Sequence, residues 1–79
     1  MGETPDVQYQ RSKMINEIGL AAGAIWRKLN EEGEMVITRL KRKSGLSISM
    51  FYLGLGWLAR EDKLNFRREK RTIYVSLKK

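Results

Sequence analysis

Two runs of cations are the side chains of this sequence best suited to chemistry with a partner. Arg39, Lys41, Arg42 and Lys43 place four positive charges in five residues, and Arg67, Arg68, Lys70 and Arg71 repeat that density nearer the C-terminus. Guanidinium and ammonium groups clustered in this way suit polyanions, above all the phosphates of a nucleic-acid backbone. A single basic run is more often a solvated surface; two runs brought to one face of a fold would be a binding surface. The charge is unevenly spread: residues 1–34 hold four basic and six acidic side chains, whereas residues 35–79 hold twelve and three, a local net charge of +9 against +7 for the whole chain.

Other chemistry is poorly provided for. Histidine and cysteine are both absent, which removes the commonest metal ligands, the thiolate nucleophile and the usual general base. Glu31, Glu32 and Glu34 surround the turn at Gly33, and Glu61 and Asp62 lie between two elements; both groups suit solvated helix ends, and no phosphate-cradling glycine loop lies near them. The chain is expected not to be an enzyme and to need no metal or cofactor, and nothing implies a small-molecule ligand. Its longest apolar-leaning stretch, Ile18 to Trp26, is too short to cross a bilayer, and the N-terminus lacks the layout of a signal peptide. A soluble, cytoplasmic protein is expected.

The elements that must position the cations follow from apolar spacing. Seventy-nine residues suffice for one domain and one core. Residues 1–11 lack periodicity and are expected to form a mobile arm or an extended segment that pairs with something, with residues 12–79 as the folded domain. Ser12 can cap a first helix in which Ile15, Ile18, Ala22, Ile25, Trp26 and Leu29 recur at three- and four-residue spacing. Trp26 is assigned to the core, and the small residues Gly19, Ala22, Gly23 and Ala24 to close packing within the chain. Gly33 suits a left-handed stop, and Met35-Val36-Ile37 reads as a very short strand. Thr38 can cap a second helix through Ser44, with Leu40 turned inward, and Gly45 ends it. Ser47 can cap a third helix to about Glu61, whose stripe Ile48, Phe51, Leu55 and Leu58 should face the first. Leu64 and Phe66, then Ile73, Val75 and Leu77, alternate with polar residues across the charged stretch 67–71, as in a two-stranded hairpin. That stretch has no Gly or Asn to fix its turn type, so the hairpin register stays open by a residue or two.

Helix, short strand, helix, the three-residue turn Gly45-Leu46-Ser47, helix, then a hairpin with a basic tip is an α+β order that resembles a winged helix-turn-helix domain from about Ser12 to Leu77. The segments IGLAAGAIWRKL (18–29) and GWLAREDKL (56–64) are similar to a small family of functionally unassigned bacterial winged-helix proteins. The resemblance implies DNA binding, with the third helix in the major groove and the hairpin, or wing, on the flanking backbone. On that view the eight clustered cations hold phosphates, and Ser47, Ser49, Met50 and Tyr52 approach the groove of double-stranded DNA.

The third helix itself argues against sequence-specific readout. Between Ser47 and Ala59 it carries no Arg, Lys, Asn, Gln, Asp or Glu, the side chains that form paired hydrogen bonds with base edges. Contacts would therefore be dominated by phosphates and weakly specific. The same helix has a second apolar set, Met50, Leu53 and Trp57, which offers the alternative of a protein interface: a homodimer through the third helix, the first helix or the arm, to which Val7 and Tyr9 could contribute, or a partner protein without DNA binding. Trp57 could instead cover the wing.

Overall fold

The structure is a computed structural model that describes the backbone of residues 5–79 and the side chains of residues 13–79. Its elements run α1 (Pro5–Glu32), β1 (Met35–Val36), α2 (Ile37–Ser44), α3 (Ile48–Arg60), β2 (Leu64–Glu69) and β3 (Thr72–Leu77). The strands form one antiparallel sheet in the order β1-β3-β2. Three helices and a three-stranded sheet in this order are the winged helix-turn-helix architecture.

The first helix starts earlier than its apolar spacing indicates. It begins at Pro5, so Ser12 lies inside it and not at its cap, and residues 5–11 are helical. Proline is well placed at a helix start, where its missing N–H costs nothing, and no Gly or second Pro follows before Gly19. Residues 1–4 of the expected arm lie outside the described residues, as do the side chains of Val7 and Tyr9.

The other helix ends are set by local chemistry. Pairing of Val36 with Tyr74 carries the extended backbone up to α2; Val36 then occupies the N-cap position without a side-chain hydrogen bond, and Thr38 falls inside the helix. Gly45 stops α2 with φ 71°, a conformation a Cβ would disfavour. Ser47 caps α3, its hydroxyl accepting from the Met50 N–H at 3.2 Å. At the far end of α3 the Lys63 N–H reaches the Leu58 carbonyl and the Asp62 N–H the Ala59 carbonyl, both at 3.0 Å, with Asp62 left-handed at φ 59°. This is the two-bond closure that usually employs glycine.

The core joins α1, α2, α3 and the sheet through Ile25, Leu40, Phe51 and Val75, all fully buried, with Ala22, Leu29, Met35, Leu55, Leu58 and Leu64 around them. The helices α1 and α3 meet at small residues: a Cβ built on Gly54 would lie 2.9 Å from the Ala22 nitrogen and 3.1 Å from the Ala21 Cβ. Ala21 and Ala22 therefore provide the close approach, whereas Gly19 faces open space and Gly23 meets only the Arg27 side chain, which corrects the internal packing role expected for those two glycines.

Four expected core residues are exposed. Ile48 is 62% accessible: it lies in the first turn of α3, six residues before the crossing at Gly54, beyond the reach of α1. Trp26 is partly exposed because it stands about 100° round the helix from Ile25. Ile15 is 51% accessible, and Phe66 is half-exposed on the outer strand although it pairs with buried Val75.

The register of the hairpin is resolved. Glu69 pairs with Thr72, so Lys70 and Arg71 form a two-residue turn, and Lys70 adopts φ 55°, a conformation in which a side chain is strained. Lys70→Gly is expected to stabilise the fold by about 0.5–1 kcal/mol, raising Tm by about 3–6 °C. Lys70→Ala, which removes the charge and keeps a Cβ, is expected to leave Tm unchanged; a rise of equal size in both variants would assign the effect to charge and not to the turn.

Candidate nucleic-acid interface

The eight clustered cations separate into two groups. On α2, Leu40 points into the core, and Arg39 and Lys43, four residues apart, share one flank of the helix. That flank faces the acidic C-terminal end of α1. The Lys43 Nζ lies 3.2 Å from Glu32 Oε1, and Lys28 approaches the same carboxylate at 3.8 Å. The hydrogen bond from Lys43 holds the Glu32 carboxyl below the usual carboxylate range, with Lys28 and Arg39 adding their field. Arg39 lines a shallow surface hollow of about 260 Å³ with Glu32, Glu34, Met35, Val36 and Tyr74. Lys41, half-buried, and Arg42, exposed, lie on the other sides of the helix.

On the wing, Arg67 is held three ways. Its Nη2 lies 2.9 Å from Glu34 Oε1 and its Nε donates to Glu34 Oε2 at 3.3 Å, a forked pairing. Its Nη1 reaches Glu69 Oε2 at 2.6 Å, and its guanidinium carbon sits 4.1 Å from the centroid of the Tyr74 ring. The Glu34 carboxyl is drawn below its ordinary value by the Arg67 hydrogen bond, and Arg67 is correspondingly raised. All of these groups are solvated, so the pairing orients Arg67 more than it stabilises the fold. Strand alternation puts Arg68 on the opposite face, beside its cross-strand partner Ile73, and Lys70 and Arg71 at the tip. Among the described residues no carboxylate oxygen lies within 4.0 Å of a charged nitrogen of Arg39, Lys41, Arg42, Arg68, Lys70 or Arg71.

The ion pairs are what sequence reasoning missed, Glu32 and Glu34 having been assigned to solvated helix ends. Glu34 stands two residues before Val36, hence on the same face of the sheet, and Val36 and Arg67 both flank Tyr74. The alternation was legible; the hairpin register needed to apply it was not.

Helix α3 contacts both α2 and β2. The Ser47 hydroxyl is occupied by its cap, Ser49 is exposed and Met50 half-buried. Tyr52 is half-exposed and stands edge-on to Phe51, with ring centroids 5.0 Å apart. In the second apolar set Leu53 is partly exposed and Trp57 is 47% accessible, so Trp57 is not sealed beneath the wing; Met50 sits deeper than both. The described residues contain no group of three or more acidic side chains able to hold a metal ion, and no helix long and apolar enough to cross a membrane.

Comparison with known proteins agrees with the fold. The uncharacterized protein MJ1608 of Methanocaldococcus jannaschii is 34% identical over 68 residues, covering 82% of this chain and 96% of the archaeal protein. The solution NMR structure of protein BT2368 from Bacteroides thetaiotaomicron superposes with a TM-score of 0.70 at 37% identity, covering 78% of this chain and 76% of that one. Relatives therefore occur in archaea as well as bacteria, wider than the bacterial set the sequence segments resemble. A family model described as "Winged helix-turn-helix domain (DUF2582)" matches residues 12–77, and the chain belongs to that family.

Proposed function

We propose that this protein is a DNA-binding winged-helix module, regulatory or accessory in role, that grips the duplex backbone with little reading of sequence. The observation that carries the reading is that six of the eight clustered cations have no carboxylate partner among the described residues, and five of them, Lys41 and Arg42 on α2 and Arg68, Lys70 and Arg71 on the wing, also lie away from Glu32 and Glu34. Lys41 and Arg42 lie on α2 and Arg68 on β2, both of which contact α3, and Lys70 and Arg71 form the turn that follows β2. Lys43 and Arg67 take a lesser part, since Glu32 and Glu34 pair with them, and so does Arg39, which is unpaired but lies on the flank of α2 turned toward Glu32. Ser49, Tyr52 and the edge of Met50 face the groove and supply contact without paired hydrogen bonds to bases.

Five phosphates neutralised correspond to a slope of log K against log salt of roughly −4 to −5. Fluorescence anisotropy with two unrelated duplexes over a range of salt tests this. Such a slope, with similar affinity for both duplexes, supports the reading; binding that is absent at low salt, or a strong preference for one sequence, contradicts it. A protein-interaction module of the same fold is the second reading, favoured by the exposed Leu53 and Trp57.

A further inference from the structure

The apolar stripe of α1 does not end where its intramolecular cover ends. Leu29, Ile25, Ala22 and Ala21 are buried, Ile18 is half-buried, and Ile15 and Met14 are half-exposed. All seven positions fall on one side of the helix at its 3.6-residue period. The crossing with α3 lies at Ala21–Ala22, and α1 begins sixteen residues earlier, at Pro5. About 24 Å of helix therefore precedes the crossing, and the molecule measures 50 Å along one axis against 25 and 22 Å along the others. A helical segment of that length is marginal in water without a packed face.

We infer that the N-terminal half of α1 is covered by the same segment of a second copy of the chain, packed antiparallel, with Met14, Ile15 and Ile18 at the contact. Charge selects this occupant. Each chain carries +7, concentrated as +9 over residues 35–79, whereas the N-terminal half of α1, residues 5–18, balances Asp6 and Glu17 against Arg11 and Lys13 and has no net charge. Two copies can meet along this neutral stretch without opposing their basic halves. Lys13 and Glu17 lie four residues apart on the same flank of the stripe, and antiparallel helices related by a two-fold axis bring like flanks together. Lys13 of each copy then faces Glu17 of the other, the self-complementarity an isologous interface requires. This inference does not rest on the DNA reading.

Sedimentation equilibrium and light scattering on the full chain, without DNA, test it. Wild type is expected to approach twice the 9.2 kDa chain mass as concentration is raised. Ile15→Lys and, separately, Met14→Lys are expected to hold the mass at that of one chain with cooperative melting retained, since neither side chain belongs to the core. Leu53→Ser is expected to leave the dimer intact. A wild type that stays monomeric at all concentrations overturns the inference, as does a dimer that survives Ile15→Lys and Met14→Lys; one broken by Leu53→Ser alone would move the interface to α3. Duplex binding is read separately on the same samples, so loss of the dimer and loss of the DNA reading are distinguishable.

Discussion

Replacing Arg68, Lys70 and Arg71 together with Gln is expected to weaken duplex binding on the order of 100-fold at about 0.1 M salt and to lower the salt slope by about 3. Each side chain lies on the wing without a carboxylate partner among the described residues, so each is available to displace one counterion from a phosphate. The loss should be similar for unrelated duplexes, because phosphates carry no sequence information. Lys43→Gln is the matched control: its ammonium already serves Glu32 at 3.2 Å, and the slope is expected to change by less than about half a unit. An equal fall in both variants would show that the ion pairs do not sort the cations. A triple variant that binds as wild type does would remove the wing from the interface.

Gly54→Ala is expected to destabilise the fold by about 1–2 kcal/mol and lower Tm by about 5–15 °C, although alanine is the better helix former. The added Cβ would stand 2.9 Å from the Ala22 nitrogen and 3.1 Å from the Ala21 carbonyl carbon. These are backbone atoms, which cannot swing aside as the end of a side chain can. The gain in helix propensity, about 1 kcal/mol, offsets only part of the cost of forcing two helices apart. Gly56, two residues on in the same helix, has nothing within 4 Å of its Cβ position. Gly56→Ala should therefore stabilise by about 0.5–1 kcal/mol, and opposite signs in thermal melts of the two variants would locate the helix crossing. Equal stabilisation would mean that α1 and α3 do not touch at Gly54.

Much of the architecture was legible because it rests on strong local signals. Gly45-Leu46-Ser47 sets the turn between α2 and α3 through a left-handed glycine and a serine cap, and Phe51, Leu55 and Leu58 mark the buried side of α3. Where sequence reasoning failed, the deciding facts were non-local. Periodicity assigns Ile48 and Ile15 to buried faces, but exposure depends on where the partner helix ends, and α1 and α3 overlap over only part of their lengths. Trp26 has the composition of a core residue and the angular position of a flanking one. The two basic runs were plain as runs, yet their division into compensated and available cations follows from Glu32 meeting Lys43 and Glu34 meeting Arg67. The latter pair is fixed by the hairpin register, which a turn built from Lys70 and Arg71 does not announce.

The most direct test of the DNA reading is an NMR amide-shift titration of the full chain with a short mixed-sequence duplex at low and raised salt. Salt-sensitive shifts are expected at Lys41 and Arg42, at Ser47 to Tyr52 and at Arg68 to Arg71, with smaller changes at Lys43 and Arg67. No shifts at low salt, or shifts confined to Leu53 and Trp57, would contradict it and leave the fold to a protein partner.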